Sequence, residues 1–157
     1  MEATPGARLA SLLDQTFRAM VAHAVEELGR RGHPGVTATL EFALVEIRAG
    51  ATDASALGRA LGVSKQAAAK TIATLEHLGY VRREAHPTDA RRRHVAVTAR
   101  GEEMTAIGAA AFDDLRRRWI DSLGSADAER AEAALQVLLE QSREDAIARA
   151  QGSSTAT

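Results

Sequence analysis

Residues 55–100 read SALGRALGVSKQAAAKTIATLEHLGYVRREAHPTDARRRHVAVTAR, and this stretch decides the fold. Leu57, Ala60 and Leu61 recur at helical spacing and are expected to face inward, after which Leu61-Gly62-Val63-Ser64 interrupts the pattern. A glycine just past the last apolar position takes positive φ, and a serine there caps the next helix. Ala68, Ile72, Leu75 and Leu78 then mark the buried side of a second helix, leaving Lys65, Gln66, Ala69, Lys70 and Ala73 on the other side. Gly79 closes that helix. A strand opens at Tyr80-Val81, and a second, His94-Val95-Ala96-Val97, alternates with the period of two expected of a half-buried strand. Between them His86-Pro87-Thr88-Asp89-Ala90 is turn chemistry, so the hairpin is expected to project. Two helices set at a sharp angle by a turn of three to four residues, followed by a hairpin, form a winged helix-turn-helix, whose second helix suits a DNA major groove.

Working outward, Met1 to Gly6 is expected to fray, and Ala7 to Arg31 carries Leu9, Leu12, Leu13, Phe17, Met20, Val21, Ala24, Val25 and Leu28 at steps of three and four, the signature of one long amphipathic helix. Gly32-His33-Pro34-Gly35 ends it. Thr37 caps a helix to about Arg48, and Thr52 or Asp53 caps the next. Beyond the hairpin, Thr98 caps a helix over Ala99 to Ser122 with a stripe of Met104, Ile107, Ala111, Phe112, Leu115 and Trp119, and Ser125 caps a last helix with Leu135, Leu138, Leu139 and Ile147 on one face. The fold class is therefore mainly α with a small β wing. Four segments are expected: an N-terminal dimerisation helix at 7–34, the winged helix-turn-helix at 35–98, C-terminal dimerisation helices at 99–150 and a disordered tail at 151–157. The outer stripes exceed what a reading unit of roughly 60 residues can cover, which argues for a homodimer. A two-fold pair places its reading helices roughly 34 Å apart, suited to a palindromic site on double-stranded DNA.

Charge is distributed to match. The chain of 157 residues has a net charge of -1, yet from Ser55 to Gly101 nine basic residues stand against three acidic ones, a surplus of six, so the remainder carries -7. A basic block within an acidic frame attracts phosphates locally. With no cysteine, disulfides and thiolate chemistry are excluded. No apolar run has the roughly 20 residues of a membrane span, and no secretory leader opens the sequence, so a soluble, cytoplasmic protein is expected, with no membrane partner. His23, His33, His77, His86 and His94 are scattered without metal-ligand spacing and are expected to be surface or loop residues. No cofactor or metal is implied. No phosphate-cradling glycine loop, nucleophile triad or paired carboxylates point to an enzyme.

The order of elements and two local motifs resemble the MarR (multiple-antibiotic-resistance regulator) family. HPTDARRRHVAVTARG is similar to that family's wing, and IATLEHLGYVRR to the end of its recognition helix. His86 stands where the family usually has an acid, and Ala67-Ala68-Ala69 where hydroxyl residues are commoner. The resemblance implies a dimeric transcriptional regulator, most often a repressor released by a small aromatic or phenolic effector held between the dimer region and the winged domain. No residue of the sequence identifies that effector site.

Candidate DNA contacts follow. On the recognition helix, Gln66 and Lys70 are four apart and suited to base edges, glutamine to adenine and lysine to guanine; Ala67 and Ala69 offer methyls to thymine, and Lys65 a cation to phosphate. Ser64 caps the helix and can donate to a phosphate. In the wing, Asp89 is placed to orient Arg91, which the resemblance sends into the minor groove, while Arg92 and Arg93 serve phosphates or pair with Glu84. A winged-helix module that binds protein, or a DNA-binding protein with no effector, are the alternatives; steep salt dependence separates phosphate binding from an apolar interface.

Overall fold

The computed structural model describes residues 4–86 and 89–154, apart from the side chains of 86, 89–93 and 149–154. Its elements are α1 (Pro5–Arg30), α2 (Ala38–Arg48), α3 (Ala54–Leu61), α4 (Lys65–His77), β1 (Val81–His86), β2 (Asp89–Val97), α5 (Ala99–Leu123) and α6 (Ser125–Ser154). Residues 1–113 form one compact unit and residues 114–157 another.

Local chemistry sets the boundaries. Thr4 accepts from the Ala7 N–H and Pro5 opens α1, so this helix begins ahead of the expected Ala7; proline is suited to a first helical turn, whose N–H groups have no intrahelical partner. Thr37 caps α2, and Asp53, of the two candidates, caps α3 by accepting from the N–H groups of Ser55 and Ala56 at 2.8 Å each. Ser125 is the first residue of α6, not a preceding cap. The same helix continues through Ser154, into the tail expected to be disordered from 151; a long preceding helix extends at the cost of fixing one residue per added bond. Residues 155–157 lie outside the described residues.

In the first unit the core is Leu28, Val36, Leu40, Ala43, Leu44, Ile47, Leu57, Ala68, Ile72, Leu75, Tyr80, Val81, Val95 and Met104, gathered from α1, α2, α3, α4, both strands and α5. Leu40, Ala43, Leu44 and Ile47 of α2 are buried, and the stripe of α4 is buried as expected, with Leu78 half-buried against that core. Ala60 is exposed and Gly58 buried, which corrects the inward face assigned to α3. The cause is the turn folding back on α3: a Cβ on Gly58 would sit 3.0 Å from the Val63 carbonyl oxygen, tighter than ordinary contact, so the face that meets the turn favours glycine.

The strands pair antiparallel from Val81 with Val97 to Ala85 with Arg93, after which the register shifts and His86 pairs with Asp89. The strands therefore take in His86, Asp89 and Ala90, which the sequence places in the turn, because the pairing of His86 with Asp89 carries β1 and β2 along the wing beyond the alternating segment. Pro87 and Thr88 lie outside the described residues. The Val95 N–H also donates to the Thr52 carbonyl at 2.9 Å, tying β2 to the segment before α3.

Candidate nucleic-acid interface

The turn between α3 and α4 is built from backbone. Gly62 adopts φ 67°, the left-handed conformation, and the Val63 N–H donates to the Gly58 carbonyl at 2.9 Å. Ser64 Oγ then accepts from the Ala67 N–H at 3.1 Å, satisfying one of the unpaired donors at the start of α4. With Ala68, Ile72 and Leu75 fixed in the core, rotation of α4 is fixed too, and Ser64, Lys65, Gln66, Ala67, Ala69 and Lys70 are all exposed. Gln66 and Lys70 lie one turn apart on that surface, at about 5–6 Å between Cβ atoms. Neither Lys65 nor Lys70 forms an ion pair among the described residues. This face holds two unneutralised cations, an amide with donors and an acceptor, and two methyl groups, all on one rigid helix.

Not all the basic surplus is available. Arg83 donates to Glu76 at 3.0 Å, bracing β1 against α4, and Arg82 pairs with Glu84 beside it on β1. His94 Nε2 also lies 3.8 Å from Glu84, so this acid is engaged from within the wing. The backbone of Asp89, Arg91, Arg92 and Arg93 belongs to β2, but their side chains lie outside the described residues, and with them the expected pairing of Arg92 or Arg93 with Glu84.

At its root the wing is pinned to α5. Thr98 Oγ1 donates toward the carbonyls of Gly79 at 2.7 Å and Tyr80 at 3.1 Å and accepts from the Gly101 N–H at 3.1 Å, while the Thr98 N–H donates to the Tyr80 carbonyl at 3.0 Å. Gly101 lies against that carbonyl so closely that a Cβ would sit 2.3 Å from it and 2.6 Å from Val97 Cγ1. Recognition helix, wing and α5 are thereby held in one fixed arrangement.

Three features escaped the sequence reading. His33 lies in a loop, as expected, but is buried instead of at the surface, with Nδ1 3.1 Å from the buried Tyr80 hydroxyl. Glu41 is buried on α2, where a Cβ on Gly108 of α5 would meet its Oε1 at 2.1 Å, and its Oε2 has no hydrogen-bond partner among the described residues. Burial alone holds this carboxyl above the ordinary carboxylate range. Between α4 and the strands, Thr52, Asp53, Ala54, Ala69, Ile72, Arg83, His94 and Val95 line a cleft of about 120 Å³. Sequence spacing carries no signal for any of these, because each depends on residues brought together from different elements. No group of three or more metal-binding side chains gathers, and no helix is long and apolar enough to cross a membrane, among the described residues.

Comparison with known proteins gives the same architecture. Residues 43–92 match the family model described as MarR family. The structure of MarR aligns with a TM-score of 0.70 at 22% identity, covering 92% of this chain and 97% of that one. That of RV1404 from Mycobacterium tuberculosis also has a TM-score of 0.70, at 19% identity, covering 90% and 96%. An S. aureus MepR mutant bound to an oligodeoxyribonucleotide aligns with a TM-score of 0.59 at 18% identity, covering 89% and 99%. No curated protein matches the sequence.

Proposed function

We propose that this chain, whose winged helix-turn-helix is that of the MarR family, is a homodimeric regulator of transcription that binds a palindromic site on double-stranded DNA. The observation that carries the reading is the outer face of α4: Lys65 and Lys70 without ion-pair partners among the described residues, with Gln66 and the methyls of Ala67 and Ala69 between and beside them. Cations on a rigid helix attract phosphate, and a glutamine in the major groove distinguishes adenine. The MepR relative seen with an oligodeoxyribonucleotide has the same fold. In the wing, Asp89 orients Arg91 toward the minor groove, and Arg92 and Arg93 contact the backbone.

A second copy accounts for apolar side chains that one chain leaves in water. In the first unit Leu9, Leu12 and Phe17 of α1 are 44%, 63% and 55% exposed; in the second, Leu135, Val137, Leu139 and Ile147 of α6 all lie open. Monomeric soluble proteins rarely leave such faces uncovered. The dimer is a repressor, and a small aromatic effector releases it from DNA; S. aureus MepR, of the same fold, is seen with ethidium bromide.

Sedimentation of the purified chain together with selection of bound sequences from a random duplex pool tests this reading. A dimer that enriches an inverted repeat supports it. A monomer at micromolar concentration, or a pool with no enrichment, overturns it. For the effector, a thermal-shift screen of aromatic compounds is expected to give hits that also weaken DNA binding.

A further inference from the structure

We propose that His33, seated between Tyr80, Arg100 and Glu103, is an acid-released latch on the root of the wing, and that its protonation weakens DNA binding. This rests on the DNA-binding reading and adds a regulatory input to it.

The latch joins three parts of the first unit. His33 comes from the α1–α2 connection, where its N–H is held by the Leu28 carbonyl at 2.9 Å. Tyr80 comes from the junction of α4 and β1, and its own N–H is held by the Leu75 carbonyl at 2.9 Å. Both are essentially inaccessible, at 1% exposure each. Their rings lie 5.6 Å apart between centroids, with Nδ1 and the phenol oxygen 3.1 Å apart. From the start of α5, the Arg100 guanidinium sits 5.1 Å from the centre of the Tyr80 ring and donates to the Gly32 carbonyl at 3.2 Å. Glu103, mostly exposed, approaches Nε2 at 3.7 Å, beyond a direct hydrogen bond. Arg100, Glu103 and Tyr80 are the charged and titratable groups that face the imidazole.

This seat favours the neutral ring over the charged one. With Nε2 carrying the proton toward Glu103, Nδ1 accepts from the Tyr80 hydroxyl. A second proton on Nδ1 turns it into a donor, so the phenol O–H must swing away from it inside a buried pair. It also puts a cation in a dry site beside Arg100. Burial first, then the arginine, hold His33 below its ordinary value, and Glu103 opposes them in part. Acid therefore favours a state in which His33 has left the pocket. The Tyr80 carbonyl is the acceptor for both the N–H and the hydroxyl of Thr98, and its backbone is the surface on which Gly101 rests, so freeing Tyr80 loosens the root that sets the wing against α4.

Sign distinguishes this from ordinary electrostatics. Protonating exposed histidines adds positive charge and tightens phosphate binding as pH falls, whereas the latch weakens it. For a released imidazole titrating near 6.5, the open state gains about ten-fold over the closed one between roughly pH 7.5 and 5.5, which is the ceiling on the loss of affinity. The test uses the full chain and a fluorescent duplex selected on it at pH 7.5, with anisotropy titrations across that range at constant salt. Affinity is expected to fall by up to ten-fold toward acid in the wild type, and to stay level or rise in His33→Gln, whose amide cannot be protonated. An unchanged or tighter wild-type complex at low pH, or an equal loss in His33→Gln, overturns the latch. If His33→Gln fails to fold, the wild-type imidazole is followed by NMR: a ring that protonates over the same pH range in which DNA is lost supports the proposal, and one that stays neutral while DNA is lost, or that protonates with no loss of DNA, overturns it. Absence of any duplex binding at pH 7.5 defeats instead the reading on which the latch rests.

Discussion

Replacing Gly101 by alanine adds one methyl group where the wing meets α5. That Cβ would lie 2.3 Å from the Tyr80 carbonyl oxygen and 2.6 Å from Val97 Cγ1. The first contact is not relieved by a side-chain rotation, because the oxygen is backbone and is fixed by the N–H and hydroxyl of Thr98; the second meets a β-branched side chain, stiff at χ1. Overpacking of this kind costs about 1–3 kcal/mol, and a backbone obstacle places the cost at the upper end. Alanine in a helix returns about 1 kcal/mol relative to glycine. The net destabilisation is about 2 kcal/mol, or about a 30-fold loss in the folding equilibrium, and a fall in Tm of about 4–8 °C for a chain of this length. Urea and thermal unfolding of Gly101→Ala against wild type measure it, with Gly29→Ala as the control, since Gly29 lies in α1 with nothing within 4 Å of an added Cβ. The control is expected to be neutral or slightly stabilised. A Gly101→Ala protein as stable as the wild type would refute the close approach, and with it the claim that the wing root is a rigid mount.

Other substitutions probe the remaining parts. Gln66→Ala is expected to change the base preference of a selected site, while Lys65→Ala weakens all duplexes by a similar factor; an unchanged selection with Gln66→Ala would remove glutamine from base reading. Leu135→Lys on α6 is expected to convert the proposed dimer to monomers in sedimentation. Two buried groups give opposite pH dependences of stability. Glu41 has a raised pKa in the fold, so its contribution is complete below its ordinary value of 4.5 and is lost as pH rises through the folded value. Glu41→Met is accordingly expected to raise Tm more at pH 8 than at pH 5, and an equal shift at both would rule out a charge effect. His33 has a lowered pKa, so its contribution is complete above 6.5 and is lost as pH falls toward the folded value. His33→Gln is expected to flatten the stability profile between pH 7.5 and 5.5, which calorimetry measures.

Periodicity made most of the architecture legible before any coordinates. Ala68, Ile72 and Leu75 fixed the buried side of α4, and Ser64 its start, so the exposed face followed by subtraction and is found where expected. What escaped were contacts made only once separate segments fold together. Gly58 is buried because Val63 and Ser64 fold back on it, and a periodic pattern offers Ala60 in its place. His33 and Tyr80 are 47 residues apart, and a histidine followed by Pro34-Gly35 reads as loop surface. Glu41 occupies a position that the charge of its side chain argues against burying; Gly108, which makes room for it, lies on another helix. Neutralisation within the basic block was equally invisible, since Arg83 meets Glu76 only once β1 folds against α4.

The most direct test of the account is a salt titration of the purified chain against its selected duplex. If α4 and the wing bind phosphates from two subunits, affinity falls on the order of 1,000-fold or more between roughly 50 and 200 mM salt, as six to ten phosphate contacts require. An affinity that barely moves over that range, or a protein that binds no duplex at the lower salt, would contradict it.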